Sequence, residues 1–549
     1  MEGPIVIDEG SLPRVQAPEP AGPGAAKMDH TMQTVGGGTA TLIISTAAFV
    51  FLSFLARVTI ARTVSLQQWG EFSLGLALSS LLAIIIALGL PSAVSRALSY
   101  EPKHEERRAI VRITLIASIL SAIGGTVVVY VAAAPLASVF HDAHLTIVFE
   151  LFAPAIGFTV ISTVLAAYFQ GMERVAPNAI FNNALNPGLF FGFVVVALVL
   201  DTGFFGILVA YSLSAGVACG AVAVYTWRKL PPALAHSPHA EEADPSGRVS
   251  LLVMTITLFG AASLNLLTQF ADTLILGAYR STSIVGLYAA GMTLARLFLA
   301  GASSLVYIYL PVSTRLRRER DFDGLRRSYV TSARWVTVIT LPIFCVFFFD
   351  PGATLTFVFG SNYANGVLAL RILSLAGFVS VVIGPANAGL SGLGHPIANM
   401  ISAGTSLVAN VALSFALIPS YGLVGAAVAW SVARLIYIGL CLGFIWRVYG
   451  MTPFARPFSR PLIVSLAILT PLFLLIPVPG ASYVLLFGLV IVAFVVCLAA
   501  IPLTRSVEHA DIVLYRTVQK RLGFRSPWLE NYLESHQAGA PVLPAGVIG

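Results

Sequence analysis

The feature that most constrains this chain is the recurrence of apolar runs about as long as a bilayer's hydrocarbon core is thick. A helix needs ~20 residues to cross that core. Runs of this length lie near 41–62, 72–96, 111–133, 146–168, 180–200, 205–227, 251–277, 286–310, 330–349, 367–389, 400–418, 423–446, 461–477 and 482–503. Lipid offers no partner for backbone N–H and C=O groups, so spans of this length must be helices. Composition agrees: 57% of residues are hydrophobic and 10% charged, against roughly 25% charged in soluble domains. The fold class expected is an all-α polytopic membrane protein with about fourteen transmembrane helices.

Lys and Arg set the orientation, because short cytoplasmic connections collect them. With the N-terminus inside, the inner connections hold Lys103, Arg107, Arg108, Arg174, Arg228, Lys229, Arg248, Arg315, Arg317, Arg318, Arg320, Arg326, Arg327, Arg456 and Arg460. The outer connections "APLASVFHDAH", "LDTGF", "DPGATLTFVFGSNYANG", "PSYG" and "PVPGAS" hold none; only Arg280, and Arg62 at a span end, break the rule. An even number of spans returns the C-terminus inside. The basic clusters then read as topology determinants on an anionic leaflet, and nucleic acid is not an expected partner. Residues 1–39, rich in Pro, Gly and acids, read as a disordered tail, and 504–549 as a cytoplasmic tail. The cysteines, Cys219, Cys345, Cys441 and Cys497, all fall in apolar runs and read as buried hydrophobes.

The chain is duplicated. "WGEFSLG" at Gly70 echoes "VGLYAAG" at Gly286, a shift of 286 − 70 = 216. Pro91 echoes Pro311, a shift of 220, and "ASVF" ending at Phe140 echoes "TFVF" ending at Phe359, a shift of 219. "DTGFFGILVAYS" matches "PSYGLVGAAVAWS", Gly203 falling on Gly422 and Gly206 on Gly425, again 219. Two six-helix bundles, 40–228 and 250–447, are therefore expected around a pseudo-twofold axis along the membrane normal, joined by a cytoplasmic linker at 229–249. Two further helices, within 448–503, stand outside the duplication. Such halves can rock about a shared cleft, the minimum machinery for alternating access.

Ionisable groups inside the spans are costly, so each is informative. Arg296 and Arg434 fall at mid-depth. Arg57, Arg62 and Arg371 fall toward the outer ends, with Asp272 in the outer third of its span and Glu150 at the start of its own. Snorkelling explains an arginine near an interface, whereas Arg296 and Arg434 need a wet or protein-lined interior. The balance is cationic, and the guanidinium fork suits phosphate oxygens. An anionic cargo is expected. Asp272 and Glu150 are candidates for a gate or for ion coupling, Asp272 standing near the repeat counterpart of Arg57 (272 − 57 = 215). Asn182, Asn183, Asn186, Asn387 and Asn410 read first as interhelical hydrogen-bonding groups.

The stretches "FLARVTIARTVSLQQWGEFSLGLALSSLL", "ADTLILGAYRSTSIVGLYAAGMTLARL", "VFGSNYANGVLALRILSLAGF" and "LSGLGHPIANMISAGTSLVANVALSFALIPSYGLVGAAVAWSVARL" carry a diffuse pattern of Gly, Pro, Arg and apolar positions over about 38–503. In this pattern the chain resembles the Wzx-type oligosaccharide flippases of the multidrug/oligosaccharidyl-lipid/polysaccharide (MOP) exporter superfamily. The resemblance implies a flippase in the cytoplasmic membrane that moves a polyprenyl-linked oligosaccharide outward. Partners would be that lipid-linked oligosaccharide, membrane lipids and glycan-assembly enzymes. The family's cationic cavity would fall here on Arg57, Arg296, Arg371 and Arg434. A MATE-like, cation-coupled drug exporter is the alternative, and it would want an accessible acid, which the first two spans lack. No Walker sequence, nucleotide-binding glycine loop or metal-ligand spacing is present, so neither an enzyme nor a cofactor is expected.

Overall fold

The computed structural model describes residues 45–87, 89–100, 104–172, 174–235, 245–384, 386, 390, 393, 395–476 and 483–507. The two tails up to 39 and beyond 507, Asn387 and the middle of the linker lie outside them. Among the described residues the secondary structure is helical, with no β-strand.

The first half runs through α1 (Ser45–Thr63), α2 (Leu66–Ile86), α3 (Leu90–Tyr100), α4 (His104–Val131), α5 (Ala133–Val139), α6 (Leu145–Gln170), a π-helical turn (Asn178–Leu185), α7 (Asn186–Val199) and α8 (Gly203–Ala235). The second runs through α9 (Pro245–Tyr279), α10 (Thr282–Arg318), α11 (Phe322–Phe349), α12 (Pro351–Phe359), a 3-10 turn (Ser361–Gly366), α13 (Val367–Ile383) and α14 (Pro396–Tyr449). The final pair is α15 (Arg456–Leu475) and α16 (Tyr483–Leu503). They pack on α11, with Phe349 stacked on Phe473 at 5.7 Å.

Eleven of these helices are long and apolar enough to cross a membrane, against about fourteen spans expected from the sequence. One source of the difference is α14, whose continuous hydrogen bonding hides a reversal. Gly422 has φ 52° and ψ −122°, outside the helical region. The hydroxyl of Ser406 donates to the carbonyl of Ala433 at 2.8 Å, and that of Tyr437 to Asn399 Oδ1 at 2.9 Å. The arms before and after Gly422 thus lie side by side, as two expected spans. A second difference is the span expected at 72–96. Gly89, at φ 71°, ends α2 early, and Pro91 opens a separate α3, where its missing N–H costs nothing.

The start of α2 is set by a reciprocal cap. Gln68 N donates to Ser65 Oγ at 3.2 Å, while Ser65 N donates to Gln68 Oε1 at 3.1 Å. The cap begins the helix just before the glycine on which the two halves meet. A Cβ on Gly70 would lie 1.8 Å from the carbonyl oxygen of Thr282, and one on Gly286 would lie 2.4 Å from that of Leu66. The contact is reciprocal: each glycine meets the residue four places before the other. That is the self-complementary pattern of a twofold contact, built from small residues as helix pairs in lipid require. The duplicated "WGEFSLG" and "VGLYAAG" sequences are therefore brought face to face. Short α5 and α12 also occupy corresponding places in the two halves.

Around this seam, Arg62 Nε donates to the Val358 carbonyl at 2.7 Å and its Nη2 to that of Phe357. The Tyr363 hydroxyl donates to the Ala61 carbonyl at 2.9 Å, and that of Thr282 to Asp142 Oδ2 at 3.0 Å. All of these sit at one end of the molecule, where Arg280 also donates to the Pro419 carbonyl at 2.6 Å.

Gly286→Val is expected to force α2 and α10 apart, at a cost of about 1–3 kcal/mol typical of overpacking. The checks are the thermal midpoint and labelling of a Thr293→Cys probe by an impermeant thiol reagent. The four native cysteines are buried and should stay silent. Unchanged melting and labelling would show that the seam is not sterically tight.

Candidate functional site

Farther along α2 and α10 from the seam, the helices diverge around a cavity of ≈ 410 Å³. Both halves line it. The first contributes Arg57 from α1, Leu76 and Ser80 from α2, and Tyr211 and Ser214 from α8. The second contributes Gln269 and Phe270 from α9, and Thr293 and Arg296 from α10. The lining is pseudo-symmetric in position: Leu76 and Ser80 correspond to Thr293 and Leu297 by the same shift (293 − 76 = 217, 297 − 80 = 217). It is asymmetric in chemistry, since Arg296 has no charged counterpart on α2.

Two guanidiniums therefore face one space. Arg57 and Arg296 feel each other's charge, an unfavourable pairing in a desolvated site. Part of the cost is offset locally. Arg296 Nη2 donates to the Gln269 carbonyl at 3.1 Å, and its Cζ stands 5.3 Å from the Phe270 ring centroid. Its Nε is buried without a hydrogen-bond partner.

One wall is aromatic. Phe72 stacks on Phe190 at 6.0 Å, and Tyr211 packs edge-on to Phe190 at 5.7 Å and against Phe152 at 4.3 Å. Asn186 and Pro187, next to Phe190, follow directly on the π-helical turn, whose wider winding shifts the register in which α7 presents its side chains. Within that turn Asn182 acts between helices: Ser162 Oγ donates to its Oδ1 at 2.6 Å. This agrees with the interhelical reading for Asn182, whereas Asn410 is fully buried with neither amide atom hydrogen-bonded and Asn186 lines the cavity.

The remaining candidate residues lie elsewhere. Arg434, on the second arm of α14, is half-buried beside Tyr437, its Cζ 5.3 Å from that ring, and it does not line the cavity. Arg371 is exposed and donates through Nε to the Phe348 carbonyl at 3.1 Å. Glu150 is half-buried on α6, away from the cavity. Asp272 is fully buried, bonded by the Tyr288 hydroxyl and by Thr273 N at 2.8 Å, with Arg296 within its electrostatic reach. Its partner is Tyr288 rather than Arg57. Tyr211, Tyr288 and Phe270 carry much of this arrangement. Nothing marked them among the 17 tyrosines and 34 phenylalanines of the sequence.

Residues 35–317, just over half the chain, match the family described as "Polysaccharide biosynthesis protein". The chain belongs to that family. The matched region holds Arg57, Asp272 and Arg296 and excludes Arg371 and Arg434. A protein named "Putative O-antigen transporter" in Shigella flexneri is 28% identical over 136 residues, covering 25% of this chain and 32% of that relative. The chain thus aligns with about a third of that relative's length. The solved structure of the lipid II flippase MurJ, in an inward closed conformation, superposes with a TM-score of 0.66 at 13% identity, covering 87% of this chain and 99% of MurJ. An inward-facing MATE multidrug resistance transporter of the MOP superfamily gives a TM-score of 0.54 at 16% identity, covering 74% and 97%. At these identities the likeness shows the fold, one shared with MurJ and with that MATE transporter. This polysaccharide biosynthesis family member is thus a multi-pass helical membrane protein built on it.

Tyr288→Phe removes the hydroxyl bonded to buried Asp272 and should cost about 1–3 kcal/mol, the typical penalty for a stranded buried polar group. A clear fall in thermal midpoint in detergent is expected. An unchanged midpoint would mean that Asp272 finds another donor.

Proposed function

We propose that this protein is a flippase for a lipid-linked oligosaccharide. It carries a polyprenyl phosphate or pyrophosphate head group from the inner to the outer face of the cytoplasmic membrane, with both termini cytoplasmic. The observation that carries this reading is the Arg57–Arg296 pair, two cations from opposite halves facing one cavity, with the buried Asp272 offsetting only the charge of Arg296. A phosphate between them would turn mutual repulsion into two charge-assisted interactions.

The neighbouring serines, Thr293, Asn186 and Gln269 suit sugar hydroxyls, and the aromatic wall suits the apolar faces of sugar rings. The polyprenyl chain would remain in lipid. Rocking of the halves 40–228 and 250–447 would close the basic end and part the Gly70–Gly286 seam, exposing the head group outside. Transport without covalent change to the cargo asks for no catalytic group, consistent with the family. A cation exporter would need an acid facing the central cavity; Asp272 is instead buried against Tyr288, and Glu71, which falls within α2 although the sequence put no acid in the first two spans, lines a separate cleft with Gln67 and His144. Membrane lipids surround the site, and glycan-assembly enzymes would supply and consume the cargo.

The test uses purified protein in liposomes containing a labelled polyprenyl-pyrophosphate oligosaccharide, followed by its accessibility to an impermeant reagent on the far face. Protein-dependent translocation is expected. Arg57→Ala and Arg296→Ala should each lower it about 10- to 100-fold, the worth of a hydrogen bond to a charged group. Arg296→Lys should retain part of the activity, because it keeps the charge and loses the fork. Arg371→Ala should be close to wild type. Full activity in both alanine variants of the cavity pair would sink the proposal.

A further inference from the structure

Outside both halves, a second cationic site lies where the appended helices reach the membrane surface. A cleft of ≈ 380 Å³ opens between the start of α15 and the end of α16, lined by Arg460, Ile463, Val464, Leu503, Thr504 and Arg505. Both arginines are exposed, and neither has an acid or hydrogen-bond partner among the described residues. Arg456 stands one turn before Arg460, at the first residue of α15.

A helix N-terminus is the end that disfavours cations, because the macrodipole is positive there. The N-cap of α15 is Ala455, with no side-chain cap to screen that end. Arg505 holds φ at 51°, in the left-handed region that side chains other than glycine and asparagine enter reluctantly. The bias of Lys and Arg toward inner loops accounts for the face on which these residues lie. It does not account for arginines from two helices converging on one cleft at the unfavourable end of α15.

We propose that this cleft binds the phosphate of an anionic phospholipid from the surrounding leaflet. Arg460 and Arg505 grip the phosphate oxygens, and Ile463, Val464 and Leu503 lie along the first methylenes of the acyl chains. Those apolar walls favour a lipid over free phosphate, which would leave them wet. Bound there, the lipid bridges α15 to α16 beside Ser506, whose carbonyl accepts from the buried Arg334 of α11. It would thereby fasten the appended pair to the second half. This proposal does not depend on what the central cavity carries.

The experiment takes the delipidated full-length protein and titrates it with phosphatidylglycerol or phosphatidylcholine, reading bound lipid by native mass spectrometry. Preferential retention of phosphatidylglycerol is expected. R460Q and R505N should each weaken it about fivefold, the contribution of one basic residue near an anionic surface, while phosphatidylcholine is unaffected. Asparagine tolerates the left-handed backbone at 505, so R505N should fold. A photoactivatable phosphatidylglycerol on the wild-type protein should give adducts within 456–476 or 483–507, independently of any variant. Equal retention of the two lipids, retention unchanged in the double variant, or adducts confined to other helices would each overturn the proposal. Displacement of the lipid by inorganic phosphate would assign the site to a soluble anion, and overturn it equally.

Discussion

The arrangement depends on a close approach of two backbones. Where α2 and α10 cross, the absence of Cβ atoms at Gly70 and Gly286 lets each helix rest on a carbonyl of the other. In lipid no hydrophobic gain drives helices together, so contact of this kind must come from van der Waals packing and hydrogen bonds. Arg62, Tyr363 and Thr282 add hydrogen bonds around the glycines. Both helices continue past the crossing and splay, and the space between them becomes the cavity. Seam and cavity are two consequences of one helix crossing.

The cavity places like charges together where the dielectric is low. Arg57 and Arg296 do not neutralise each other, and the nearby acid, Asp272, is taken up by Tyr288 and Thr273. What lowers the cost is a carbonyl, a ring face and a set of hydroxyl and amide groups that compensate a cation only in part. Such a site is expensive when empty and favourable with an anion inside, the energetic profile wanted of a carrier. The cleft at α15 and α16 follows the same logic at the membrane surface, with water and lipid taking the place of the protein interior.

Much of this was legible in the sequence. The spans follow from hydropathy because lipid leaves the backbone no alternative to a helix. The duplication follows from glycines and prolines at a nearly constant shift, and the structure brings one such pair into contact. The reversal between the arms of α14 was legible from "PSYG", since a break between two apolar runs must be a turn. The extent of α2 was not, because Gly89 interrupts a run that hydropathy reads as continuous. Among the charges, the sequence could mark depth but not direction. Arg296 and Arg434 look alike as single arginines at mid-depth of apolar runs, yet one lines the cavity and the other packs beside Tyr437 outside it.

The sequence by itself determined that the chain crosses the membrane many times, that short Gly- and Pro-bearing stretches recur at a nearly constant shift, and that its apolar runs carry more positive than negative charge. Only the tertiary structure decided which of those charges share a space. The reason is physical. In a soluble helix the apolar stripe shows which side faces the core, but helices such as α2 and α6 are apolar on every side, since lipid and protein interior ask for the same residues. The rotation of each helix is then set by contacts such as Gly70 with Gly286 and Tyr288 with Asp272. Those contacts join residues more than two hundred positions apart in the first case and only a few turns apart in the second.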